Sequence, residues 1–83
     1  AHARLAMAHQ AWEAGSLRVA IVDAYAAVDL AQSVVGPIDA RDERCRLDEL
    51  RQRAIDIDRT VGADDAREAL VLAEGMIRAS SPR

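Results

Sequence analysis

The amino-acid sequence predicts an all-α fold, a four-helix array made of two helical hairpins. Three observations carry that expectation. Four segments place apolar residues three and four apart, the repeat of one helix face. Eighteen of the 83 residues are Ala, the strongest helix former. Turn-forming residues separate the segments at Gly15-Ser16, Gly36-Pro37 and Gly62. No segment shows the apolar/polar alternation of a half-buried strand.

The first helix is expected from about Ala1 to Ala14. Leu5, Ala8, His9 and Trp12 fall on one face, Gly15 stops the helix, and Ser16 is placed to cap the next one. The second helix spans about Leu17 to Val35. It is apolar on most of its circumference, which predicts a central helix buried nearly all round, with Ala20, Ile21, Ala24, Ala27 and Val28 in the core. Gly36-Pro37 breaks it. Asp39 or Asp42 caps the third helix, which runs to about Val61, where Gly62 closes it. Leu47, Leu50, Ala54, Ile57 and Val61 have heptad spacing there. Its other face carries Arg44, Asp48, Arg51, Asp58 and Arg59 and reads as solvated and laced with ion pairs. The fourth helix starts at Asp64 or Asp65, with Glu68 completing a capping pattern, and continues to about Ala79. Ala66, Ala69, Leu70, Ala73, Met76 and Ile77 form its wide apolar face. Residues 1–79 read as a single helical domain and 80–83 as a flexible tail.

Composition narrows the function. Trp12 and Tyr25 are the only aromatics, so the core depends on close helix approach, with Leu, Ile and Val filling the gaps. The net charge is −3 and every one of the 11 basic residues is Arg. An acidic balance leaves no global positive field for phosphates, which argues against nucleic acid as a partner. No stretch has the roughly 20 apolar residues of a membrane span, so no membrane partner is expected. Cys45 is alone, which fits a reducing compartment and a cytoplasmic, soluble protein. The chain starts with Ala, as an excised or processed piece of a longer product would.

Few residues invite a chemical reading. His2 and His9 share a face but are two turns apart, too far to chelate one zinc unaided. His9 and Glu13, four apart, read as a surface pair. Arg44 and Arg46 flank Cys45 and would activate an exposed thiol. Tyr25 is expected in the core with its hydroxyl at the rim. There is no phosphate-binding Gly loop, no supported Ser/His/Asp set and no His-Glu-x-x-His. No catalytic, cofactor-binding or metal-binding residue is therefore assigned, and a non-enzymatic module for protein–protein contact or assembly is expected. Val19, Val22, Leu30, Val71, Leu72 and Met76 cannot all enter one small core, and they are the predicted interaction surface. The partner is another protein or a second copy, a homodimer being the simplest solution. A small-molecule regulator with an Ala-lined pocket between the second and fourth helices is a further reading.

The segment LAMAHQAWEAGSLRVAIVDAYAAVDLA resembles one tetratricopeptide repeat of about 34 residues, with Ala8, Gly15, Ala20 and Ala27 at its small positions and Leu5 and Ile21 in neighbouring apolar slots. DDAREALVLAEGMI resembles the second helix of that repeat. The stretch EAGSLRVAIVDAYAAVDLAQSVV also resembles the Gly turn and second helix of the HEPN family, helical bundles of prokaryotic defence and toxin–antitoxin systems. LDELRQRAIDID and ADDAREALVLAEGMI resemble its later helices. That resemblance implies a ribonuclease-related alternative. The family's Arg/His motif has its spacing matched here by Arg4 and His9. They stand in the first helix and not in a later one, which implies a non-catalytic member. LDELRQRAIDIDRTV resembles the first helix of helical chorismate mutases, but the Lys residues such a site requires are absent.

Overall fold

The computed structural model of the chain describes residues 2–36 and 40–80. The architecture is all-α, with α1 at His2–Glu13, α2 at Leu17–Val35, α3 at Arg41–Ile55 and α4 at Ala63–Ser80. α2 is the hub and packs on each of the other three, most extensively on α1 and α4. α3 and α4 share a thinner interface, and α1 and α3 flank the α2–α4 layer without meeting.

The core follows the predicted faces. Ala20, Ala24 and Ala27 of α2 and Ala66, Ala69 and Ala73 of α4 are fully buried, so the central seam is made largely of methyl groups. Ile21 and Val28, Leu47 and Leu50 of α3, and Ala8 of α1 are likewise closed to solvent. Because these alanines have no solvent exposure, the pocket expected between the second and fourth helices is not an open one.

The first turn forms as predicted, with one difference. Gly15 adopts φ 80°, and the Ser16 and Gly15 N–H groups donate to the Ala11 and Trp12 carbonyls at 2.8 and 3.0 Å. This is a Schellman arrangement, and the positive φ is why Gly stands there. Ser16, however, makes no side-chain capping bond to α2. Gly36 ends α2 at φ 88°, its N–H donating to the Gln32 carbonyl.

α3 departs most from expectation. Its N-cap is Ala40, Asp42 lies inside the first turn, and Asp39 is outside the described residues. The helix stops at Ile55, six residues before Val61. Asp56 has an extended backbone, and its carboxylate accepts the Asp58 N–H at 3.0 Å. Such an Asx turn offers the chain a local alternative to another helical turn. Ile57 is consequently 89% exposed, while Val61 packs against the core from the loop.

Gly62 does not close α3. It begins α4, its carbonyl accepting the Asp65 and Ala66 N–H groups. Asp65 Oδ2 accepts the Gly62 N–H at 3.1 Å, the back-bond of a capping box. The capping acid is therefore Asp65, and Glu68 is released for another partner.

Candidate interaction surface

The six residues predicted to form one surface are split between two sides of the bundle. At about 100° per residue, Val19, Val22, Ala26 and Leu30 lie along one stripe of α2, on an arc turned away from its buried alanines. Val19 is 52% and Leu30 45% exposed, while Val22 sits half-buried at the core edge. The expectation that α2 is buried nearly all round does not hold on this arc, where Val19 and Leu30 are exposed and Val22 and Ala26 only partly covered. Val71 and Leu72 lie on the far side of α4. Val71 is 61% exposed, Leu72 is half-buried against the core, and Met76, at 2%, is a core residue. These three line a groove of about 340 Å³ with Ala40, Gly75 and Ala79. The α2 stripe and the α4 groove face away from each other across the alanine seam.

The α2 stripe extends beyond the predicted residues. Val19 and Ile57 line one depression of about 540 Å³ with Leu17, Arg18 and Val61. Sequence reasoning placed Ile57 inside a helix and so hid its exposure.

The same reasoning overlooked Arg18. Its Nη1 donates to the carbonyls of Arg53, Ala54 and Asp56 at 3.3, 2.9 and 2.8 Å, and its Nη2 to the Arg59 carbonyl. One side chain of α2 thus satisfies orphan carbonyls at the end of α3 and in the loop after it. No signal within α3 could have revealed this, because the donor lies more than 30 residues away.

The polar face of α3 is laced with ion pairs, but much of it turns inward. Tyr25 of α2 is half-buried between two guanidiniums, Arg44 and Arg51, at 4.6 and 4.7 Å from its ring centre. Arg44 Nη2 donates to the Tyr25 hydroxyl at 2.9 Å and to Asp29 at 2.6 Å, and its Nη1 to Gln32 at 2.8 Å. Burial works against the Arg44 charge, but the hydrogen bond and field of Asp29, with Tyr25, outweigh it and raise its pKa above the ordinary value. Arg46 grips Glu68 of α4 bidentately, Nε–Oε2 at 2.5 Å and Nη2–Oε1 at 3.0 Å. Arg46's hydrogen bonds to Glu68 first, then to Glu49, raise its pKa, and the Arg46–Glu68 bond lowers that of Glu68.

The residues considered for chemistry do not converge. Arg4, at 3.5 Å from Asp23, turns toward α2, whereas His9 pairs with Glu74 of α4 and not with Glu13. Five residues apart on a helix, they point about 140° away from each other. Cys45 is exposed, and both neighbouring guanidiniums are engaged by carboxylates. Among the described residues no three His, Cys, Asp or Glu side chains are grouped to hold a metal ion, and no helix is long and apolar enough to cross a membrane. No protein-family model matches the chain, and no curated protein or solved structure matches it significantly.

Proposed function

We propose that the domain is a non-enzymatic helical module for protein–protein contact that self-associates through the outward face of α2. The observation that carries this reading is the stripe Val19, Val22, Ala26 and Leu30, apolar along about three turns, with Val19 and Leu30 exposed and Val22 and Ala26 partly so. Contiguous exposed apolar residues rimmed by polar ones mark candidate interaction sites. Its spacing is close to palindromic. In an antiparallel pair of α2 helices, a twofold axis midway between Val22 and Ala26 sets Val22 over Ala26 of the second copy and brings Val19 within one residue, a rise of about 1.5 Å, of Leu30. An isologous interface requires that self-complementarity.

Sedimentation velocity across a concentration series tests it. The expected result is a concentration-dependent dimer that Leu30→Glu or Val19→Glu converts to a folded monomer. A strictly monomeric wild type at high micromolar concentration, with no binding of a hydrophobic dye, would overturn the reading. RNA cleavage abolished by His9→Ala would replace it with the ribonuclease-related alternative.

A further inference from the structure

We propose that the groove between α1 and α4 is a second docking site, for an acidic amphipathic helix of a partner protein. This goes beyond self-association, because α2 contributes no residue to the groove's lining. α1 and α4 pack on each other less closely than either packs on α2, and the gap between them opens into two cavities. The first, about 360 Å³, is lined by Trp12, the nearly buried Leu70 and the exposed Val71, which it shares with the groove on the far side of α4, and by Arg67. The second, about 380 Å³, is floored by Leu5 and Ile77 and edged by His2 and Arg78. Glu74 lines both, and its pair with His9 bridges the groove between them.

The charge pattern selects the occupant. Among the described residues Glu74 is the single carboxylate lining either cavity, and His9 engages it. Arg67 and Arg78, exposed at the two ends, have no ion-pair partner among the described residues. They stand eleven residues apart on one edge of α4, a rise of roughly 16 Å. Among the described residues a net acidic chain thus presents a groove of mixed apolar and polar lining with cationic ends. Carboxylates on the incoming segment complement those ends and fix its register.

The spacing selects a helix. Leu70 and Ile77, one in each cavity, are two turns apart, about 10 Å along α4. A helix lying alongside places its own apolar residues i and i+7 at the same interval, one in each cavity with the His9–Glu74 bridge between them. A flat bilayer does not enter a concave groove of this kind. The α2 stripe of a second copy is a poorer occupant, because Asp23 and Asp29 beside it are already held by Arg4 and Arg44.

Trp12, the only tryptophan, sits in the groove and reports on its occupancy. The probe is a synthetic helical peptide of roughly 18 residues, long enough to hold a helix, free of aromatics, with Leu at i and i+7 and Glu on both flanks. Titrated into the whole chain, it should shift Trp12 emission saturably. The same peptide with Lys for Glu should not. Arg67→Glu and Arg78→Glu, each checked by circular dichroism for retained fold, should weaken the interaction about tenfold or more, as should high salt. Leu30→Glu on the α2 face should leave it unchanged, which separates this site from self-association. Equal binding of the Lys peptide, or no saturable shift with the Glu peptide, would overturn the proposal. A shift produced by phosphatidylserine vesicles and not by the peptide would replace the protein partner with a membrane surface.

Discussion

The two seams that meet at α2 are built from opposite materials. In the apolar core that α2 shares with α1 and α4 the material is largely methyl, with Ala20, Ala24, Ala27, Ala66, Ala69 and Ala73 fully buried. Toward α3 it is guanidinium against carbonyl, carboxylate and ring, through Arg18, Arg44 and Arg51. The alanines themselves have no side chain to reposition, and close packing around them leaves little tolerance for added volume. The arginine seam is directional and partly wet, and each of its bonds replaces one that water would otherwise make. α3 needs such moorings because only Leu47, Leu50 and Ala54 of its fifteen residues are buried. The comparison teaches that in an alanine-rich chain poor in aromatics, long Arg side chains can reach across the space that small apolar residues leave between helices.

The alanine seam offers the largest way to break this comparison. Ala24→Leu inserts three carbons into a fully buried position and should destabilise the domain by about 1–3 kcal/mol. Urea unfolding should show a lower midpoint with an unchanged slope. A neutral result would mean that the seam contains slack, and α2 would lose its place as the tightly packed hub.

Arg18→Ala comes next. It strips donors from four carbonyls, all partly or fully open to water, so the expected loss is about 1–2 kcal/mol. Amide exchange should accelerate at the end of α3 and in the loop to α4, while the α2–α4 seam keeps its protection. Arg18→Lys should restore little, because an ammonium lacks the planar fork that spans the carbonyls. Full rescue by Lys would show that charge alone holds the end of α3.

How much of this could be read in the sequence divides along the same line. The buried face of α4, and α2 residues such as Ala20, Ile21 and Val28, follow from 3.6-residue periodicity, a local signal. The end of α3 was hidden. Ile57 and Val61 continue the heptad, but the Asp56 turn and the reach of Arg18 are tertiary facts that override periodicity. Glu68 reads as a capping residue because acids in a helix's first turns are ambiguous by about one turn; Asp65 takes the cap and Arg46 takes Glu68. For the candidate surface, the exposure of Val19, Leu30 and Val71 was legible from an excess of apolar circumference. That they face opposite ways was not, because helical phase within one helix says nothing of its orientation relative to another.

A smaller effect sharpens the account of the arginine seam. Tyr25→Phe removes the hydroxyl that accepts from Arg44 but keeps the ring between Arg44 and Arg51, and should cost about 0.5–1.5 kcal/mol. Tyr25→Leu also removes the cation–π contacts, worth roughly a further 0.5–1 kcal/mol at a partly exposed site. Equal losses in thermal or urea unfolding would show that the ring's π face contributes nothing and that the sandwich is only packing.

The smallest effect separates charge from shape at the α3–α4 contact. Arg46 lowers the Glu68 pKa in the folded chain, so folding is linked to the ionised carboxylate. The sign follows from that direction. A depressed carboxylate contributes its full stabilisation above the unfolded value, about 4.3 for Glu, and loses it as pH falls through the folded one. Both partners are substantially exposed, so solvent screening holds the contribution to a few tenths of a kcal/mol. Glu68→Gln should therefore be slightly less stable than wild type near neutral pH, with the gap closing as pH drops below the ordinary Glu range. Strong salt at pH 7 should shrink the same gap. Paired thermal melts between pH 7 and pH 3 read it out, and the difference between the two chains cancels the titration of the other carboxylates. A gap that persists unchanged at low pH would assign the contact to side-chain packing. The bidentate geometry of Arg46 would then be a consequence of how α3 is seated and not a cause of it.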